Sequence, residues 1–207
     1  MEARHRFMPM RMLLLILLTL SSAMAQPPSP RLVGRWRSIE TSKGGIGAVY
    51  QFRADGTFDF SPGAIVDMPY RVEGDQLIFP PETTTGPEMK STVAWPSNDV
   101  MLMSMQGHAE EYKRRGAADP RGRLLGEWLG SREMDGHRMP VQMVFYPAGR
   151  SLLVILFTTQ AGRYSVTNGR LVGEIGRRPA LEGTFDITNG VLSIYRRGGR
   201  ITKLARY

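Results

Sequence analysis

The chain has no cysteine at all, and this shapes the reading of everything else. No disulfide can form, no thiolate can act as nucleophile or metal ligand, and no lipid-modified cysteine can anchor the protein. Histidine is scarce. Past the first 25 residues there are only His108 and His137, and neither has a Ser or an acid at a spacing used for acid–base or nucleophilic catalysis. No glycine-rich stretch follows a strand and opens a helix, so a phosphate-cradling loop is missing. Gly44-Gly45-Ile46-Gly47 reads as a flexible loop, and Asp55 and Asp75 read as turn formers. These absences exclude the familiar enzyme and cofactor signatures, and the chain is read as a non-enzyme without a cofactor.

Long apolar runs are missing too. Met12–Leu20 is apolar apart from Thr19, which is too short for the ~20 residues of a spanning helix. It follows Arg4, Arg6 and Arg11 and precedes Ala23-Met24-Ala25, a small-x-small cleavage pattern. Residues 1–25 are therefore expected to be a secretory signal peptide, and Gln26 the first residue of an exported, periplasmic or extracellular protein. The mature chain is expected to have no transmembrane segment.

What the chain does contain is a repeat. Leu32-Val33-Gly34-Arg35-Trp36 returns as Leu124-Leu125-Gly126-Glu127-Trp128, 92 residues later. Phe52-Arg53-Ala54-Asp55-Gly56 answers to Phe145-Tyr146-Pro147-Ala148-Gly149, and Tyr70-Arg71-Val72 to Tyr164-Ser165-Val166. Asn98-Asp99-Val100-Met101 answers to Asn189-Gly190-Val191-Leu192. The domain plan is a signal peptide (1–25), a Pro-rich leader (26–31), repeat 1 (32–116), a linker (117–123) and repeat 2 (124–207).

Within each repeat, short alternating apolar runs are cut every 8–12 residues by Gly, Pro, Asn or Asp, the rhythm of antiparallel β-structure. In repeat 1 the strands are expected near 35–41, 48–53, 57–60, 68–72, 76–79, 90–95, 100–105 and 110–114. In repeat 2 they are expected near 127–132, 140–146, 151–157, 162–166, 170–174, 181–187, 191–196 and 200–207. Asp55-Gly56, Gly74-Asp75, Asn168-Gly169 and Asn189-Gly190 suit two-residue hairpin turns. Eight short strands per repeat predict an all-β chain of two tandem small antiparallel up-and-down barrels, since closure removes exposed edges. Barrels of that size are filled by side chains such as Phe52, Phe58, Leu77, Phe145, Phe157 and Leu171. A ligand then belongs at a barrel mouth or between the units. Leu152 to Phe157 is apolar throughout, so both faces of that strand must be covered, by the other barrel or by a second copy of the chain.

The Gly-x-Trp opening of each repeat, the Phe-x-x-Asp-Gly hairpin, the Tyr-x-Val strand and a basic residue on the last strand resemble the small bacterial lipocalin-like barrels of the calycin group. The resemblance implies that each tryptophan packs at the barrel base against a basic residue of the last strand. Carried over, Trp36 is expected to meet Arg114 or Arg115, and Trp128 to meet Arg206 or Lys203. It also implies a binding or envelope-associated role, with a small apolar molecule as one possible ligand.

Charge divides unevenly. Residues 32–116 hold nine Lys or Arg against eleven Asp or Glu, whereas residues 124–207 hold twelve against six. Arg177, Arg178, Arg196, Arg197 and Arg200 are candidates for a patch that meets an anionic envelope component. The alternative is a solvated face. Nucleic acid is not expected, because aromatics are not interleaved with these arginines. Finally, Met101, Met103 and Met105 share one face of a strand and His108 is close by. Thioethers select Cu(I), so this row is a candidate metal site, with core packing as the alternative.

Overall fold

The computed structural model describes residues 29–81, 86–105 and 107–207. The signal-peptide segment and Gln26 lie outside the described residues. No helix among those residues is long and apolar enough to cross a membrane.

The fold is all-β and antiparallel, with sixteen strands among the described residues. In order they are β1 (Gly34–Ser38), β2 (Ile46–Phe52), β3 (Thr57–Pro69), β4 (Arg71–Glu73), β5 (Gln76–Phe79), β6 (Met89–Ser97), β7 (Val100–Met105) and β8 (His108–Arg115). Then follow β9 (Gly126–Met134), β10 (His137–Tyr146), β11 (Arg150–Leu156), β12 (Gln160–Thr167), β13 (Arg170–Ile175), β14 (Arg178–Thr188), β15 (Val191–Tyr195) and β16 (Ile201–Arg206). The turn chemistry does what its residues allow: Asn168 and Asn189 take φ of 51° and 52°, each followed by a glycine also at positive φ.

Eight strands close into a barrel in the order β1, β2, β3, β12, β13, β14, β15, β16 and back to β1. Three come from the first repeat and five from the second. The other eight, β4 to β11, continue the sheet from β3 through β11 and end at β4. β4 follows β3 through Tyr70 alone, so the chain itself returns the far end of this sheet to its start.

β3 explains the exchange. Where two short strands are expected around 57–60 and 68–72, a single strand of 13 residues runs through. Its first part pairs with β12, Thr57 opposite Arg163 and Phe60 opposite Gln160. Its second part pairs with β11, from Gly63 opposite Leu156 to Pro69 opposite Arg150. The strand leaves the barrel and enters the other sheet without a turn. Gly63 makes this crossing possible, since a Cβ there would lie 2.2 Å from the carbonyl oxygen of Ile155.

Each sheet wraps its own core. The barrel is filled by Trp36, Tyr50, Phe52, Phe58, Tyr164, Leu171, Leu181, Leu192, Ile194 and Leu204. The other eight strands surround Leu77, Phe79, Val93, Met101, Met103, Tyr112, Trp128, Val141, Met143, Phe145 and Ile155. Val49, Ile65, Leu152 and Val154 form a third cluster between the two. The apolar run in β11 is thus covered on both faces from within the chain: Ile155 faces the second core, while Leu152 and Val154 face Val49 and Ile65. Phe157 is the exception. It lies beyond β11 and is exposed rather than filling a barrel.

Candidate functional site

Up-and-down order sends alternate hairpins to opposite ends of a barrel, and here the two ends differ. The base of the closed barrel is sealed by Trp36, whose indole Nε1 donates to the carbonyl of Leu32 at 2.7 Å. Arg206 lies over its ring at 4.5 Å and donates to the carbonyls of Val33 and Arg31 at 3.0 and 2.6 Å. The other core is sealed alike. Trp128 donates to the carbonyl of Leu124 at 2.8 Å, and Arg114 lies 4.2 Å over the ring while donating to the carbonyls of Leu125 and Arg123. Both tryptophans are fully buried.

The pairing of tryptophan with arginine is the reverse of the one expected. Trp36 meets Arg206, not Arg114 or Arg115, and Trp128 meets Arg114, not Arg206 or Lys203. The register dictates this, because β1 pairs with β16 (Trp36 opposite Arg206) and β9 with β8 (Trp128 opposite Arg114). Arg115 instead reaches Glu127 at 3.2 Å. Lys203 is exposed, and its backbone carbonyl accepts from the amide of Ile39. Two tyrosines repeat the exchange. Tyr70 donates its amide to Gly149 and its hydroxyl to Tyr146, while Tyr164 donates to Gly56 and Arg53 in the other repeat's hairpin.

The opposite end of the closed barrel carries the arginines. The hairpin joining β13 to β14 holds Arg177 and Arg178, and the one joining β15 to β16 holds Arg196, Arg197 and Arg200. Both hairpins point to the end away from Trp36. None of the five has a carboxylate partner among the described residues, although Arg35, Arg53, Arg71, Arg132 and Arg170 are paired with Glu127, Asp59, Glu88, Glu110 and Glu182. The Nε of Arg196 is buried without a hydrogen-bond partner. Burial pushes the Tyr50 hydroxyl above its ordinary pKa, against the opposing pull of nearby Arg196. A cavity of about 510 Å³ opens beside this hairpin, lined by Tyr195, Arg196, Arg197, Leu181 and the Arg170–Glu182 pair.

Exposed apolar side chains lie toward the same end. Tyr195 and Ile201 are direct cross-strand partners and both exposed. Ile39 and Ile46, on either side of the loop between the neighbouring strands β1 and β2, are exposed as well.

The mouth of the second core has another character. Arg132 on β9 binds Glu110 on β8 through two hydrogen bonds of 2.6 and 3.0 Å, and Tyr112 donates to Glu110 at 2.5 Å. Burial would raise the Glu110 carboxyl, but the bonds from Arg132 and Tyr112 outweigh it and hold the group below its ordinary value. Tyr112 is pushed up by burial and by its bond to that carboxylate. Met103, Met105 and His108 line the adjoining cavity, whereas Met101 is fully buried in the core. His137 is exposed at the start of β10.

Two polar clusters escape sequence reading. One is Glu110–Arg132–Tyr112. The other joins the halves: Arg35 and Glu127 hold the same place in the two Gly-x-Trp motifs and form an ion pair of 2.5 Å. Gln142 donates to the same carboxylate at 2.9 Å, and Arg35 donates to the Tyr207 hydroxyl at 3.3 Å. Opposite charges at one repeat position are the signal that could have found this pair. Comparison with family models, with curated proteins and with solved structures yields no match.

Proposed function

We propose that this chain is an exported, non-enzymatic interaction module of lipocalin-like kind that docks its arginine end onto an anionic membrane surface. One observation carries the reading: five arginines without carboxylate partners among the described residues lie in the hairpins of one barrel end, and exposed Tyr195, Ile201, Ile39 and Ile46 lie at the strand ends on that side. Arginines near an anionic leaflet contribute about 1 kcal/mol each, and exposed tyrosine and isoleucine suit the headgroup boundary. A face that served solubility alone has no need of the exposed Tyr195–Ile201 pair beside its charges. The filled core argues against the rival reading of a small apolar ligand inside the barrel, since Trp36, Phe52, Phe58 and Tyr164 occupy that space. The export half of the proposal rests on the basic start, the short apolar run and Ala23-Met24-Ala25.

Sedimentation with liposomes tests the docking. Binding is expected to vesicles containing phosphatidylglycerol and not to neutral phosphatidylcholine. It should weaken as salt rises, the Debye length falling from ~10 Å at 0.1 M to ~3 Å at 1 M. Replacing Arg177, Arg178, Arg197 and Arg200 together by Gln should lower affinity by roughly two to three orders of magnitude. Equal binding to neutral vesicles, or none to either, overturns the proposal. Binding to soluble anionic polymer but not to vesicles would move the partner from membrane to cell wall.

A further inference from the structure

The mouth of the second core offers a donor set of a different kind from the arginine end. Met105 and His108 flank the turn between β7 and β8 and are direct partners in the ladder, while Met103 stands two residues back, opposite Glu110. Directly opposed residues share a face with Cβ atoms ~4.5–5.5 Å apart. Residues two apart on a strand are separated by ~6.6 Å on that same face. Two flexible thioethers and one imidazole can therefore meet at a single point. All three border one cavity of about 580 Å³, together with Glu110, Arg132 and Asp135.

The charges there favour a cation. Arg132 is already held by Glu110, and Asp135 on the same rim has no basic partner among the described residues. The donor types then select which cation. Thioether sulfur is a soft ligand suited to Cu(I) and poor for Mg(II) or Ca(II). Among the described residues no group of three or more His, Asp or Glu is placed to hold a metal, so a hard-ion or zinc-type site has no donor set here. Met101 and Met103 are both buried in the core, but only Met103 reaches the wall of this cavity, so the role of Met101 is packing.

We infer that this mouth binds one Cu(I) ion through the sulfurs of Met103 and Met105 and a ring nitrogen of His108. The site is separate from the arginine end, and neither reading depends on the other.

The full chain is titrated anaerobically with Cu(I) against a chromophoric Cu(I) chelator, with Zn(II) in a parallel titration. One equivalent of Cu(I) is expected to bind, and X-ray absorption is expected to show sulfur and nitrogen scatterers. Met105→Leu and His108→Ala should each weaken binding by about tenfold or more, since losing a ligand exceeds the loss of an outer-shell partner. Met101→Leu should leave affinity unchanged. The Met-to-Leu changes nearly conserve volume, so circular dichroism should show an intact fold for each. Wild-type affinity in a Met103→Leu, Met105→Leu, His108→Ala variant, a shell without sulfur, or equal affinity for Zn(II) would overturn the inference.

Discussion

The two mouths occupy equivalent places in the repeat and carry opposite chemistry. Where β16 and its hairpin present Arg200 and Thr202, β8 presents His108 and Glu110, each 92 residues earlier. Arg196 stands where the other mouth has Met105, and Glu40 where it has Arg132. At one mouth the five arginines have no carboxylate partner among the described residues, and exposed apolar side chains lie at the same end. The other closes a cation onto a carboxylate and a tyrosine hydroxyl. The bases, by contrast, are nearly identical, with Gly-x-Trp, a backbone carbonyl and an arginine in the same geometry. The two sheets thus agree at their sealed bases and differ where their strands open to solvent. Loop ends tolerate change that a packed base does not, because few buried contacts depend on them.

Cutting the chain between the repeats tests the shared architecture most severely. With a protease site placed in 117–123, the two fragments should remain associated after cleavage. Each sheet is built from both repeats, β1 to β3 closing on β12 to β16. Either fragment alone lacks the strands that complete its sheet, so it should show no cooperative unfolding until the other is added. Size-exclusion chromatography and thermal melts read this directly. A folded, monomeric 124–207 fragment would show that each repeat closes on itself.

The next largest effect is expected at the bases. Trp36→Ala should destabilise the protein by about 3–5 kcal/mol, the range for truncating a buried large aromatic. A double-mutant cycle distinguishes the two closures. Trp36 and Arg206 should couple by ~0.5–2 kcal/mol, as a stacked cation and indole do. Trp36 and Arg114 should be additive within ~0.5 kcal/mol. The opposite result would restore closure within each repeat.

That ambiguity explains how much was readable beforehand. Period-two alternation and the Asn-Gly turns place nearly every strand, because side-chain direction and turn geometry are local. Which edge a strand joins is not local. The bases of the two repeats use the same residues, so Trp36 buries as well against Arg206 as against Arg114, and hydrophobic pattern cannot choose. The choice lies in β3, where Ser61-Pro62-Gly63 looks like a break but passes straight through. Proline and glycine are tolerated there because the crossing needs a close backbone approach, not a turn. The arginine end was legible as composition only. That Arg177 and Arg197 share a barrel end follows from hairpin order, and that Tyr195 and Ile201 lie exposed beside them follows from the closed register. The Glu110–Arg132 pair joins β8 to β9, strands from different repeats, and no spacing in the chain announces it.

The smallest effect is expected at the mouths, and there the comparison becomes quantitative. Glu110→Gln removes a partly buried, charge-assisted network and should cost about 1–2 kcal/mol at neutral pH. Arg197→Gln removes a side chain with no carboxylate partner among the described residues and should change stability by no more than ~0.5 kcal/mol. The pH dependence follows from the sign of the Glu110 shift. Its carboxyl is held below the ordinary value in the folded protein, since the bonds from Arg132 and Tyr112 outweigh the opposing effect of burial. The unfolded state therefore binds the proton more readily, and the stabilisation is complete above the ordinary glutamate pKa of about 4.3. As pH falls from there through the lower folded value, the contribution fades. Wild type and Glu110→Gln should then differ at pH 7 and converge in acid, whereas wild type and Arg197→Gln should run together throughout. Urea melts of the three proteins from pH 7 down to pH 3 measure this. A gap between wild type and Glu110→Gln that persists unchanged in acid would mean that packing around the Gln side chain, not the ion pair, sets the difference between the mouths.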